Sequence, residues 1–152
     1  AGALARGNVS MQTIRAWLDA NPGRVDEILN HNPSYIFFTL SEDADPQKGP
    51  LGAQNLPLTP GRSLAVDLDF HGLGVPVWLD SQAPDAAGDT MTPLQRLMLT
   101  QDTGGALKGP VRGDVFWGFG PDAAAIAGRM QSQGTLYVLL PKAVAQRIAA
   151  AP

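Results

Sequence analysis

From residue 64 onward the chain alternates short apolar runs with turns rich in glycine and proline. Runs this short are typical of β-strands, because a helix needs roughly ten residues or more. The runs lie at 64–67, 76–79, 97–101, 115–117 and 136–140. One helix interrupts them over 121–132, with Pro121 at its first position and Gly134 as its terminating cap. Several short strands with one clear helix predict a small, mainly β barrel.

The composition supports one folded domain and narrows its partners. The 152 residues are 44% hydrophobic, enough for a core. Charged residues make up only 16%, whereas there are 17 glycines and 13 prolines, a balance typical of loop-rich β-structure. The net charge is −3 and the lysines and arginines are scattered, so nucleic acid is not expected as a partner. The absence of cysteine excludes disulfides and thiolate metal sites.

Helices are predicted at both ends of the chain. Ser10 is a favourable N-cap for a helix over 11–20, and Asn21 with Pro22 predicts the start of a second helix that stops before Asn32. A strand over 35–40, a polar loop over 41–50, a surface loop over 81–92 and a last helix over 142–150 complete the prediction. The two N-terminal helices are expected to support a neighbouring domain.

The N-terminus carries no initiator methionine and no secretory signal, and no apolar stretch is long enough to span a bilayer. As given, the chain is expected to be neither inserted nor exported. Because it begins without a start signal, we expect a fragment or a processed product.

Two aspartates flank a glycine-rich stretch in which chemistry is expected. Asp102 ends the apolar run 97–101, and Asp114 precedes the run 115–117. The glycines between them are expected to allow positive backbone angles and a close approach to a ligand; they are Gly104, Gly105, Gly109 and Gly113. Against apolar and aromatic neighbours, the Asp114 carboxyl would be desolvated, which favours the neutral acid that a proton donor needs.

Each candidate also has a purely structural interpretation. An aspartate after glycine, as at Asp114, often caps a turn, and Asp102 before Thr103 is typical of an Asx-turn. The functional interpretation of Asp102 is a supporting carboxylate, and the same interpretation applies to Asp67 at the end of the run 64–67. Lys108 is placed either to reach a polar ligand or simply to be solvated.

Other site chemistries find little support. His31 and His71 are the only histidines and are far apart in sequence, so neither a metal site nor a cofactor is expected. Ser63 lacks a nucleophile-elbow pattern. The glycines around Lys108 lack the spacing of a phosphate-binding loop.

Three segments together resemble the membrane-bound lytic murein transglycosylase A family, in its C-terminal portion with the three-aspartate domain. They are residues 49–67, 72–79 and 101–118, and the similarity extends over nearly the whole chain. The resemblance implies a double-psi β-barrel preceded by two short helices. It divides the chain into a helical segment over 1–34, continuing from a missing N-terminal part, and a catalytic portion over 35–152.

The resemblance also implies a function. Family members cleave the β-1,4 bond between N-acetylmuramic acid and N-acetylglucosamine in peptidoglycan and leave a 1,6-anhydromuramoyl end. The family's three aspartates fall on Asp67, Asp102 and Asp114, and Asp114 matches the catalytic one. It would protonate the leaving oxygen and then, as carboxylate, take the proton of the muramoyl C6 hydroxyl, while Asp102 and Asp67 support it.

The implied partners are peptidoglycan glycan strands and the missing N-terminal part of the same protein. The glycan would lie on Gly104, Gly105, Lys108, Gly109 and Trp117, although Trp117 is equally expected in the core. The implied location is periplasmic and associated with the outer membrane. Two alternatives stay open: a glycan-binding barrel fragment that is inactive without its partner domain, and a two-carboxylate glycosidase that uses water.

Overall fold

The computed structural model describes residues 9–35, 37, 40 and 48–150. The chain divides into two compact units, residues 1–43 and residues 44–152. None of the helices described is long and apolar enough to cross a membrane.

The first unit contains two short helices, as predicted. Helix α1 (Met11–Ala20) begins with a capping box in which Ser10 and Thr13 satisfy each other's backbone amides. A 3-10 turn (Pro22–Arg24) then leads into α2 (Val25–Leu29). Asn21 stands at the N-cap position before Pro22, as predicted, but its side chain makes no capping bond there. Its side-chain amide donates instead to the Trp17 carbonyl at 2.8 Å, because that oxygen is left unpaired at the end of α1.

The strand predicted over 35–40 falls largely outside the described residues, and so does most of the loop predicted over 41–50. Of that strand, Tyr35, Phe37 and Leu40 are described, belong to no strand, and are 82%, 85% and 90% exposed.

The second unit is built on one five-stranded mixed sheet. Its strands are β1 (Ser63–Val66), β2 (Pro76–Pro84), β3 (Met91–Asp102), β4 (Gly113–Val115) and β5 (Thr135–Val138), in the order β4-β1-β3-β2-β5. Strand β1 pairs with β3 in parallel and with β4 antiparallel, while β2 is antiparallel to both β3 and β5. Each of the five predicted strands of this region overlaps a strand of the sheet, although β4 shares only Val115 with the run predicted over 115–117.

The largest difference is the region 81–92, which was predicted to be a surface loop. Strands β2 and β3 extend into it and form a long hairpin, paired up to Pro84 and Met91. Only residues 85–90 turn, where the Asp85 carboxylate accepts the amides of Gly88 and Asp89. The loop prediction was wrong because the outer face of this hairpin is exposed to solvent and carries polar residues, which resemble those of a loop.

Two helices complete the second unit. Helix α3 (Pro121–Ala127) starts at the predicted proline but is shorter than predicted, because it ends at Gly128 and not near Gly134. Gly134 precedes β5, where a side chain would collide with the Asp80 carbonyl at 2.7 Å. Helix α4 (Lys142–Ala149) confirms the last predicted helix. Helices and strands hold similar shares of the described residues, so the chain is mixed α and β and not mainly β.

The core lies on one face of the sheet. Leu64, Val66, Val77, Leu94 and Met98 are each at most 1% exposed and pack together. Strand β1 contributes two of these side chains from only four residues, so the position of this short strand depends on its burial.

Replacing Leu64 by alanine is expected to lower the free energy of unfolding by about 2–5 kcal/mol, because it leaves a cavity beside β1. Leu97→Ala is the matched control. Leu97 is 43% exposed on the opposite face of the sheet, so the loss there is expected to be no more than about 1 kcal/mol. Urea unfolding of both variants measures the difference, and equal losses would show that Leu64 is not a core residue.

Candidate active site

The pairing of strand β1 brings two of the three candidate aspartates to one place. Ala65 is the register partner of Asp102 on β3 and of Asp114 on β4. The two aspartates therefore lie one strand away from Ala65 on either side, about 10 Å apart at Cα. Residues directly opposite each other across strands point to the same face of a sheet. The structure thus places Asp102 and Asp114 on one surface, although twelve residues separate them in sequence.

Asp114 borders two adjacent grooves. The first, named the loop groove, has a volume of about 380 Å³ and also contains Asp102. The second, named the tryptophan groove, has a volume of about 470 Å³ and contains Trp117. The loop groove is lined further by Ala65, Gly104, Gly105 and Phe116, and the tryptophan groove by Arg112, Met130, Gln131 and Ser132. A carboxyl on this border has access to a ligand that extends along both grooves.

The Asp114 carboxylate is not desolvated, which corrects the expectation from its apolar neighbours in sequence. Its side chain is 59% exposed, and the Arg112 Nε donates to its Oδ1 at 3.2 Å. The reason is the place of β4 at the edge of the sheet, where the chain covers the strand on one side only. The groove, and not an apolar pocket, surrounds this carboxyl.

Asp102 is half-buried and holds a different part of the chain in place. Its Oδ1 accepts the backbone amide of Ala53 at 3.0 Å, so the Asx-turn interpretation is wrong. Beside it, the Gln54 amide donates to the Gln101 carbonyl at 3.1 Å. Gly52 lies so close to this carbonyl that a side chain there would approach it to 2.5 Å. The end of β3 is therefore fastened to the segment around residues 52–54.

Asp67 is the buried member of the three aspartates, with a side chain 5% exposed. Its Oδ2 accepts the Gly109 amide at 2.8 Å and its Oδ1 accepts the Asp69 amide at 3.2 Å. The bond from Gly109 is the main reason why the pKa of the Asp67 carboxyl lies below its usual value, and the bond from Asp69 adds to it, while desolvation opposes both. Asp67 lines neither groove.

The segment between β3 and β4, residues 103–112, is named the glycine loop, and it is fixed at several points. Thr103 donates to the Val66 carbonyl at 2.8 Å, and Leu107 is buried. The His71 Nε2 donates to the Pro110 carbonyl at 2.6 Å. Of the four glycines expected to have positive φ, only Gly109 has one, at 106°. At Gly113 the need is for space, because a Cβ would approach the Leu64 side chain to 3.1 Å.

Of the other two candidate side chains, Trp117 lines a groove and Lys108 does not. Lys108 lies 3.9 Å from the carboxylates of both Asp67 and Asp69 and lines neither groove. Trp117 is half-buried against the core, and its indole N–H contacts the Met130 sulfur at 3.3 Å, so it serves the core and the tryptophan groove together. Within the described residues no group of three or more metal-binding side chains is arranged to hold an ion.

Sequence reasoning missed Arg112, Ala53 and His71 as parts of this site. Arg112 stands two residues before Asp114, a spacing that could have suggested a pair. No local signal connects Ala53 with Asp102 or His71 with Pro110, since 49 and 39 residues separate them.

The chain is similar in sequence to known proteins. Residues 62–140 match the family described as the 3D domain, and residues 1–39 match the MltA specific insert domain. The membrane-bound lytic murein transglycosylase A of Vibrio cholerae is 35% identical over 140 residues, which are 91% of this chain. The chain spans 37% of the length of that relative.

Solved structures give the same result. The membrane-bound lytic murein transglycosylase of Agrobacterium tumefaciens is 43% identical with a TM-score of 0.77, over 95% of this chain and 38% of the other. Escherichia coli MltA, solved with bound chitohexaose, is 32% identical with a TM-score of 0.74, over 88% of this chain and 40% of the other. The chain therefore belongs to the 3D domain family.

Replacing Asp67 by asparagine is expected to destabilise the chain in a way that depends on pH. Because the folded pKa is lower than the unfolded one, the carboxylate stabilises the fold above the unfolded value near 3.8, and this stabilisation is lost as the pH falls through the folded pKa. The Tm difference between wild type and D67N should therefore be full near neutral pH and shrink in acid. Asp69→Asn, at a side chain 79% exposed, is the control and should change Tm little. A D67N difference that is independent of pH would contradict this role.

Proposed function

We propose that the chain is the catalytic portion of a lytic transglycosylase that cleaves the β-1,4 bond between N-acetylmuramic acid and N-acetylglucosamine in peptidoglycan. The products carry 1,6-anhydromuramoyl ends. One observation carries the proposal: in a chain of this family, Asp114 is accessible on the border of two grooves, with Asp102 across the sheet from it. The curated relatives bear the name of this activity.

The proposed reaction uses one carboxyl in two steps. Neutral Asp114 donates its proton to the oxygen of the leaving N-acetylglucosamine as the C1–O bond breaks. The resulting carboxylate removes the proton of the muramoyl C6 hydroxyl while that oxygen bonds to C1 of its own sugar. Because the hydroxyl is tethered to the reacting sugar, no water has to be captured and no second carboxylate is required as base. Asp114 ends protonated, ready for the next bond.

Asp102 and Asp67 are proposed to act through position. Asp102 adds a second carboxylate to the loop groove and, through the Ala53 amide, keeps the end of β3 in register with the segment before β1. Asp67 holds the glycine loop through the Gly109 amide, so the floor of the loop groove keeps its shape. Neither has to exchange a proton with the sugar.

The glycan is proposed to lie along both grooves, so that Asp114 faces the bond between two sugars. Gly104 and Gly105 give the loop groove a floor without side chains, and Trp117 offers an aromatic surface in the tryptophan groove. The contacts proposed for Lys108 and Gly109 are with the parts of a glycan that extend beyond the loop groove, since neither residue lines it.

The sheet of the second unit is proposed to be part of a double-psi β-barrel, with the catalytic portion over 35–152 and a helical segment over 1–34. The outer face of the sheet supports this. Tyr137, Trp78 and Leu97 form a row across β5, β2 and β3 and are 53%, 39% and 43% exposed. Further polypeptide, of the length by which the relatives exceed this chain, would cover these side chains and complete the barrel.

The proposed location is the periplasm, in association with the outer membrane. The support is the name of the relatives, which are described as membrane-bound.

Asp114→Asn is expected to lower the rate of peptidoglycan cleavage about 10²- to 10⁴-fold, because asparagine neither donates nor accepts the proton. The assay uses the chain itself and a chimera in which it replaces the matching segment of the Vibrio cholerae relative. Mass spectrometry of the products should find anhydro ends for the wild type. Asp69→Asn, outside both grooves, is the control and should retain the wild-type rate.

Three results would each contradict the proposal. They are cleavage by D114N at the wild-type rate, reducing ends in place of anhydro ends, and a chimera that folds and binds glycan but does not cleave it. Reducing ends would favour an ordinary two-carboxylate glycosidase. A chimera that binds without cleavage would favour a glycan-binding barrel.

Leu97→Asp tests whether further polypeptide covers the outer face. In the chain alone the charge meets water, so the Tm is expected to fall little, whereas in the chimera the same carboxylate would be buried and the Tm should fall by several degrees or more. Gln82→Asp, an exposed position on the same face of β2, is the control. An equal Tm change for L97D in the chain and in the chimera would contradict a covered face.

A further inference from the structure

Arg112 holds a position that the proposed chemistry does not explain. Among the described residues, it is the one lysine or arginine that lines either groove. Its side chain is 55% exposed, and within that part of the chain its one hydrogen-bonding partner is the Asp114 carboxylate. The contact is a single bond from Nε at 3.2 Å and not the two-point contact that an arginine can make with a carboxylate. Arg112 therefore has donors left for a second anion.

The backbone around Arg112 is fixed while its side chain is accessible. Gly113 pairs with Val66 and packs against Leu64, so the register with β1 sets where residues 112–114 lie. Arg112 itself precedes the strand, and its side chain is more than half exposed. A side chain with these properties can move between Asp114 and a ligand in the tryptophan groove without any change of the sheet.

The charges favour such an exchange of partners. An ion pair between Arg112 and Asp114 exists only while Asp114 is a carboxylate, whereas the proposed first step needs it as a neutral acid. At that moment the guanidinium has lost its counter-ion. Asp102 is engaged by the Ala53 amide in the neighbouring groove, and the other residues that line the tryptophan groove are uncharged. A substrate anion can take the place of this counter-ion, because the accessible Arg112 side chain lines a groove that has no other charged lining residue while Asp114 is neutral.

We propose that Arg112 is a specificity-determining residue that binds a carboxylate of the substrate's muramoyl residue, and that it releases Asp114 as it does so. This inference rests on the proposed function. A muramoyl sugar differs from N-acetylglucosamine by a lactyl group, which ends in a free carboxylate or continues into a peptide with carboxylates of its own. Guanidinium binds such groups strongly and in a defined geometry. Arg112 would thereby distinguish peptidoglycan from uncharged N-acetylglucosamine polymers.

Binding measurements on the 152-residue chain test this proposal. Three ligands are compared: glycan strands with their peptides, strands freed of peptide by an amidase so that the lactyl carboxylate is exposed, and the freed strands with this carboxylate converted to its methyl ester. Asp114→Asn serves as the reference protein, because asparagine mimics the neutral acid and prevents turnover. It should bind the best carboxylate-bearing strand about 10- to 100-fold more tightly than the ester. Of the two carboxylate-bearing strands, the one that binds more tightly shows whether Arg112 binds the carboxylate of the lactyl group or that of the peptide.

The double variant D114N/R112Q should bind the carboxylate strands and the ester with nearly equal Kd, and D114N/R112K should keep part of the preference. D114N/R147Q, which changes an exposed arginine on α4 outside both grooves, is the control and should keep all of it. Wild type, in which Asp114 competes for Arg112, should show a smaller preference than D114N. The inference is overturned if R112Q leaves the charge preference intact, or if D114N shows none. If the charge preference depends on Arg112 but the chimera with wild-type Asp114 folds and cleaves no peptidoglycan, the proposed function is overturned instead.

Discussion

The site depends on the pairing of one four-residue strand, β1, with neighbours on both sides. Its parallel partner β3 delivers Asp102 and its antiparallel partner β4 delivers Asp114, each opposite Ala65. Because the two partners lie on opposite sides of β1, the glycine loop has to cross the end of this strand to connect them. The burial of Leu64 and Val66 holds β1 in the core, so the distance between the aspartates is a property of the sheet and not of a mobile loop.

The three aspartates differ in burial and in hydrogen-bonding partners, and this difference supports different proposed roles. Asp67 is buried, and backbone amides stabilise its carboxylate form. This suits a structural role and does not suit proton exchange with a ligand. Asp102 is half-buried and engaged by Ala53. Of the three, only Asp114 is exposed on the border of both grooves. Its partner Arg112 is the side chain proposed to bind a substrate anion in place of Asp114. The proposed catalytic role of Asp114 is therefore supported by contacts within this chain.

Local patterns predicted much of this fold. Apolar runs between glycine and proline turns located all five strands of the sheet, and Ser10 and Pro121 located helix starts. The hairpin over 81–92 was missed because its polar outer face hides the alternation of a half-buried strand. The aspartates could be chosen from their places at strand ends, but the exposure of Asp114 could not, since it follows from β4 being an edge strand. The contacts of Ala53 and His71 could not be predicted from local patterns, because their partners are 49 and 39 positions away in the sequence.

In the proposed reaction, the C6 hydroxyl of the substrate, and not water, completes the cleavage at Asp114. Cleavage of peptidoglycan in water enriched in oxygen-18 tests it directly. Anhydromuramoyl products that contain no oxygen-18 are expected, because the oxygen of the new bond comes from the sugar. Products that carry one oxygen-18 at C1 of the muramoyl residue would show attack by water and would contradict it.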